Sequence, residues 1–199
     1  MTSIEERFEH ALMREKNYDQ YDAIETMKMY QQLADEGYAP AQCKSAMAYN
    51  AMGMDDQCIG LLEKACAQND ARALAQMGVF YYNGKCGLIQ SHAYAFALYT
   101  RAAQLGESTA MFNLAMMYQE GEGCEQDVHE AAGIYRDLTA IPGEVDAGAA
   151  FHLGVLCLTG KLGNETRVKA EGMVMLQEAA AEGHEGAREL LSEYKSAMK

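Results

Sequence analysis

Three stretches of this chain can be laid over one another, and that periodicity constrains the fold more than any other feature of the sequence. They are ARALAQMGVFYYNGKCGLIQSHAYAFALYTRAAQLGE from Ala71, STAMFNLAMMYQEGEGCEQDVHEAAGIYRDLTAIPGE from Ser108, and GAAFHLGVLCLTGKLGNETRVKAEGMVMLQEAAAEGH from Gly148. A small residue after an apolar one recurs at Gly78, Ala115 and Gly154, in steps of 37 and 39 residues. Each stretch reads as a helix with that small residue, a glycine-bearing loop (NGKCG, EGEGC or TGKLG), and a second helix ending in an alanine pair or its equivalent and a glycine. The small residues let two helices approach closely, and the bulky ones fill the space between neighbouring pairs. A closing glycine such as Gly106 or Gly183 supplies a left-handed cap. Composition agrees with helices: alanine and methionine are frequent, there are only 2 prolines, and valine and isoleucine are sparse.

Two shorter units precede these. Residues 39–70 keep Ala46 and Tyr49 on a first helix and Leu61, Leu62 and Ala65 on a second. Before them, Tyr30, Leu33, Ala34 and Gly37 repeat the second-helix pattern, and Ser3 to Lys16 supplies the first, opened by a capping box of Ser3 and Glu6. The chain ends in GARELLSEYKSAMK, one more first-type helix placed to cap a stack.

The helix carrying Ala73, Met77, Gly78 and Tyr81, and the next carrying Ala110, Leu114, Ala115 and Tyr118 before Gly121 and Gly123, resemble the Sel-one-like repeat (SLR) family, a relative of the tetratricopeptide repeats. In the third unit Leu153 and Gly154 match, Cys157 replaces the tyrosine, and the loop becomes Gly160-x-x-Gly163. The likeness runs from about Tyr21 to the C-terminus and is strongest from Ala71 to His184. The expected fold is all-α, an α-solenoid of about five antiparallel helix pairs plus a C-terminal capping helix, wound as a right-handed superhelix. It forms one domain over residues 1–199, with units at roughly 3–38, 39–70, 71–107, 108–145 and 146–185 and a cap at 186–199. The resemblance implies protein–protein binding rather than catalysis.

The glycine loops invite comparison with a phosphate cradle. A cradle needs a strand, glycines, and then a helix whose N-terminus faces the anion. Here helical residues lead into the loop, no Lys-Ser or Lys-Thr follows, and Glu120, Glu122 and Glu125 would repel phosphate. The loops are therefore read as chain reversals.

The six cysteines, Cys43, Cys58, Cys66, Cys86, Cys124 and Cys157, raise a disulfide framework. Cysteine-rich secreted members of the resembling family repeat a Cys-x7-Cys pair across each helix junction. Here the position that would pair with Cys66 is Leu74, and the next junction carries Ala103 and Met111. Cys58 and Cys66 have the spacing but fall on one helix, about 12 Å apart and beyond disulfide reach. Reduced, buried thiols are expected. The five histidines form no metal-ligand spacing, and His152, between Phe151 and Leu153, reads as packed or groove-lining rather than as a base. No serine-nucleophile motif appears, so the β-lactamase-like hydrolase activity claimed for cysteine-rich relatives is only a remote alternative. No cofactor and no metal are expected.

A binding groove remains. Register across the units places Met47 and Asn50, then Arg72, Val79, Tyr82 and Asn83, then Phe112, Met116, Gln119 and Glu120, then Phe151, Val155 and Leu158 on a concave face lined by first helices. The competing reading is that neighbouring helices bury these side chains. With 29 acidic against 16 basic residues the formal charge is −13. That charge disfavours nucleic acid and anionic membranes; it permits a basic protein partner, and the competing reading is that acidity only keeps the protein soluble. The opening residues lack the pattern of a signal peptide and no long apolar run occurs, so a cytoplasmic location is expected. Two roles follow for such a module: a specific inhibitor or immunity protein for a basic toxin or effector, or an adaptor or regulatory scaffold in signalling or envelope assembly. Oligomeric state is open.

Overall fold

The structure is a computed structural model that describes residues 2–16, 22–140 and 146–197. The described residues form eleven helices and no strand: α1 (Ile4–Lys16), α2 (Asp22–Asp35), α3 (Ala39–Ala51), α4 (Asp55–Ala67), α5 (Ala71–Asn83), α6 (His92–Gln104), α7 (Ser108–Glu120), α8 (Val128–Thr139), α9 (Ala147–Leu158), α10 (Thr166–Ala181) and α11 (Glu185–Ala197). The junctions at residues 17–21 and 141–145, where the unit boundary at 145 was expected, lie outside the described residues. Backbone contacts gather into two compact units, Met1–Glu107 and Ser108–Lys199.

In the first unit each helix packs on the next through α4·α5 and α5·α6, and α3 also reaches α5. In the second, α7 packs on α8, α8 on α9, α9 on α10 and α10 on α11. The Ser3–Glu6 capping box is present in both directions: Glu6 N–H donates to Ser3 Oγ at 3.1 Å and Ser3 N–H to Glu6 Oε2 at 2.9 Å.

Core composition follows the repeat. In the first unit, one cluster joins Phe8, Ala11, Tyr30, Leu33, Ala34 and Ala41, and another centres on Cys43, Ala46, Cys58, Leu62, Ala73, Met77 and Phe80. The second unit buries Ala131, Tyr135, Leu138, Leu153, Leu156 and Cys157 in one cluster and Ala150, Leu176, Ala179, Ala187 and Leu191 in another.

The small residue of the motif marks the closest helix approach. A Cβ on Gly78 would stand 2.7 Å from the Tyr99 ring of α6. One on Gly154 would stand 2.8 Å from Leu176 and 3.1 Å from the Gly172 carbonyl of α10. Four second helices are followed by a left-handed residue: Gly37, Gly106 and Gly183, and Asn69 after α4, where asparagine takes the glycine's place. The amide after each reaches back to a carbonyl in the last turn, as Glu107 N–H does to Ala102 O at 3.1 Å and Asp70 N–H to Ala65 O at 3.1 Å.

The loops between paired helices are closed by their own backbone. Gly121 and Glu122 N–H both donate to Met117 O, at 2.8 and 3.0 Å, and Asp127 N–H donates to Tyr118 O at 2.9 Å. The following helix is capped by Asp127, whose Oδ1 accepts from His129 and Glu130 N–H at 3.0 Å each. The loop after α5 repeats this, with Lys85 N–H on Phe80 O at 3.0 Å and Ser91 N–H on Tyr81 O at 2.8 Å. These amides are committed to the turn, as a chain reversal requires and a phosphate cradle would not.

Candidate functional site

In the second unit, Phe112 on α7 and Phe151 on α9 occupy the same repeat position. Each ring is only half-buried, and each lies across a glycine at the start of the next first helix. A Cβ on Gly148 would meet the Phe112 ring at 3.2 Å, and one on Gly186 the Phe151 ring at 3.4 Å. The two glycines thus make room for the two rings.

More rings join them. Tyr135 on α8 stacks on His152 at 5.5 Å and 18°, and Phe112 stands tilted or edge-on to both, at 5.9 and 5.6 Å. Phe151 meets His152 edge-on at 5.5 Å and stacks on His184 at 4.3 Å and 19°. His184 is fixed in turn, because its Nδ1 accepts from Ala187 N–H at 3.3 Å and so caps α11. The result is a continuous aromatic group over α7, α8, α9 and the entry to α11.

Two carboxylates border it. Glu120, at the end of α7, and Asp146, the cap of α9, both act electrostatically on Tyr135 and on His152. Gln119 links ring to carboxylate: its Oε1 accepts from the Tyr135 hydroxyl at 3.3 Å and its Nε2 donates to Glu120 Oε1 at 2.8 Å. Burial lowers the His152 pKa from its ordinary value near 6.5, and nearby His184 lowers it further, against the opposing pull of Glu120 and Asp146. His152 is therefore neutral at neutral pH, and the patch there is aromatic and anionic. Such a surface attracts a cation, by ring quadrupole and by carboxylate together.

The other residues expected on this face are Met116, Val155 and Leu158, all half-buried; Met116 packs on the α8–α9 cluster and Leu158 on the α10–α11 cluster. In the first unit, Met47, Asn50, Val79 and Tyr82 are half-buried, and Arg72 and Asn83 are exposed. There Asn50 Oδ1 accepts from the Cys86 thiol at 3.2 Å, and Asn83 Nδ2 donates to the Val79 carbonyl of its own helix at 2.8 Å. Tyr82 stacks on His92 at 4.8 Å and 11°.

Register alone did not single out Tyr135, Asp146 or His184. Tyr135 carried a signal, since it aligns with Tyr99 in the preceding unit. Asp146 and His184 carried none beyond their places at helix starts. Among the described residues no group of three or more His, Cys, Asp or Glu is placed to hold a metal ion, and no helix is long and apolar enough to cross a membrane.

Paired helices, close-packed through a small residue, define an all-α repeat protein of the solenoid class. The chain belongs to the Sel1 repeat family: that family's model matches residues 55–70, 71–107, 108–136 and 147–184. Protein sel-1 homolog 2 of Rattus norvegicus is 33% identical over 127 residues, covering 59% of this chain and 18% of its own length. The ERAD-associated E3 ubiquitin-protein ligase component HRD3A of Arabidopsis thaliana is 27% identical over 130 residues, 57% of this chain and 19% of its own. The chain thus spans about a fifth of the length of these curated relatives. A Sel1 repeat protein from Oxalobacter formigenes, known from a crystal structure, superposes with a TM-score of 0.78 at 26% identity, over 93% of this chain and 75% of that one.

Proposed function

We propose that this chain is a non-enzymatic protein-binding module, and that its second unit holds a basic segment of a partner against the Phe112–Phe151–His152 surface. The observation that carries this reading is the half-exposed aromatic group bordered by Glu120 and Asp146. An arginine or lysine side chain satisfies both halves of it, stacking on a ring while facing a carboxylate. The net charge of −13 adds long-range attraction for the same kind of partner and speeds encounter. Inhibition of a basic toxin or effector is one form of this role. An adaptor within a larger assembly is the other, favoured by the relative described as a component of a ubiquitin ligase.

The test is affinity capture from the native host, followed by binding measurements with the purified partner. The expected partner is basic. Its affinity falls about tenfold or more with Phe151→Ala, as for a buried aromatic anchor, and falls as salt is raised. A partner whose affinity is indifferent both to Phe151→Ala and to salt overturns the reading.

A further inference from the structure

Two histidines touch the rings proposed to seat a partner. The His152 ring stands edge-on to Phe112 at 5.6 Å and to Phe151 at 5.5 Å, and it stacks on Tyr135 at 5.5 Å. His184 stacks on Phe151 at 4.3 Å and 19°. Both imidazoles are half-buried. Histidine is the side chain whose charge ordinarily changes between about pH 5 and 8, so the ring surface carries two groups able to charge in that range.

The anionic side of the surface is placed by geometry. A Cβ on Gly148 would stand 3.2 Å from both Asp146 Oδ1 and the Phe112 ring, so this carboxylate and this ring border one point. Glu120 Oε1 is held by Gln119, which also accepts from the hydroxyl of Tyr135, the ring on which His152 stacks. A protonated imidazole in this setting uses the same rings and the same carboxylates that a partner's cation would use.

We infer that protons and a basic segment compete for this surface: charging of His152 and His184 expels the segment, and mild acid reverses binding. This rests on the site being a seat for a basic segment, as proposed above. The titratable and charged groups facing His152 are Glu120 of α7, Tyr135 of α8, Asp146 at the start of its own helix and His184 before α11. Burial raises the Tyr135 hydroxyl, which stays neutral. Burial and then His184 hold His152 neutral at neutral pH, against the pull of Glu120 and Asp146. Competition is reciprocal: a bound cation makes both imidazoles harder to protonate by the factor with which protons weaken the cation. Like charges on adjoining rings weaken binding by about tenfold.

The test measures, by titration calorimetry, binding of an acetylated and amidated tetra-arginine peptide to the full chain at about pH 7.5 and about pH 5.5, an interval in which arginine keeps its charge. The expected result is an affinity at the higher pH that Phe151→Ala weakens, a loss of about tenfold at the lower pH, and a smaller loss when His152→Gln and His184→Gln are combined. The ratio of the two affinities is the readout for each protein, so a variant altered at the higher pH still reports. Imidazole resonances in the native chain give a second measurement: saturating peptide should move the titration midpoints of His152 and His184 to lower pH, and by more than those of His10, His92 and His129. Phe151-sensitive binding of equal affinity at both pH values, the same ratio in the double variant, or midpoints that the peptide leaves in place each overturn the competition and leave the site standing. Absence of binding at the higher pH, or binding indifferent to Phe151→Ala, overturns the site and the competition with it.

Discussion

The two units build the same repeat and finish its exposed face in different ways. In residues 1–107, several first-helix polar groups bond within the unit: the Tyr49 hydroxyl donates to Gln31 at 3.1 Å, the Cys86 thiol to Asn50 at 3.2 Å, and Lys44 pairs with Glu15 at 2.8 Å. In residues 108–199, the corresponding helices carry rings, and the rings pack on one another beside Glu120 and Asp146. Polar groups already bonded to one another have little to offer a partner. Half-exposed aromatic rings retain area that a partner can cover without breaking a hydrogen bond. The repeat backbone thus specifies stacking, while a few substituents set what each unit exposes.

The largest effect should come from the core that supports the ring surface. Leu153→Ala removes a fully buried side chain and is expected to cost about 2–5 kcal/mol, read as lost hydrogen-exchange protection in α7–α11. Next comes the close approach. Gly154→Ala is expected to cost about 1–3 kcal/mol, because its new methyl meets Leu176 and the rigid Gly172 carbonyl. Gly78→Ala meets only the Tyr99 ring, so denaturation should show the smaller loss for this variant. The reverse ranking would show that ring packing in the first unit is the stiffer of the two.

The helix caps divide the units more finely. Asp70 Oδ1 accepts from Ala73 N–H at 2.8 Å in α5, and Asp146 Oδ1 from Ala149 N–H at 2.9 Å in α9. Either aspartate changed to alanine should cost about 1 kcal/mol of stability. Only Asp146→Ala should also weaken a basic partner, as titration calorimetry would show; equal effects of both variants on binding would remove the distinction between the units.

The smallest effect concerns pH. His152 has a folded pKa below its unfolded value near 6.5. Between the two values the unfolded chain binds a proton that the folded chain does not, so stability falls as pH drops below about 6.5 and levels off beneath the folded pKa. His152→Gln should flatten that limb for the second unit. An unchanged pH profile in the variant would assign the acid sensitivity elsewhere.

Much of this was legible in the sequence, for a physical reason. Helix pairing is written locally: the small residue at Gly78, Ala115 and Gly154, the closing glycines at Gly37, Gly106 and Gly183, and the Ser3–Glu6 box each act within one turn or on the adjacent helix. Register also singled out Phe112 and Phe151, because residues at one repeat position share a face. Whether those rings would be buried was beyond register, since burial depends on what a neighbouring helix presents. Gly148 and Gly186 decide that question only once the helices are placed.

The sequence by itself therefore determined the all-α repeat fold and the reading of EGEGC as a turn, whose amides the preceding helix consumes. Tertiary structure alone brought Tyr135, His152, Phe151 and His184 into one aromatic group, set Glu120 and Asp146 beside it, and aimed the Cys86 thiol at Asn50. The reason is distance along the chain. Periodicity fixes interactions within a few residues or one repeat step, whereas ring stacking and thiol contacts join residues on different helices and depend on how those helices are packed.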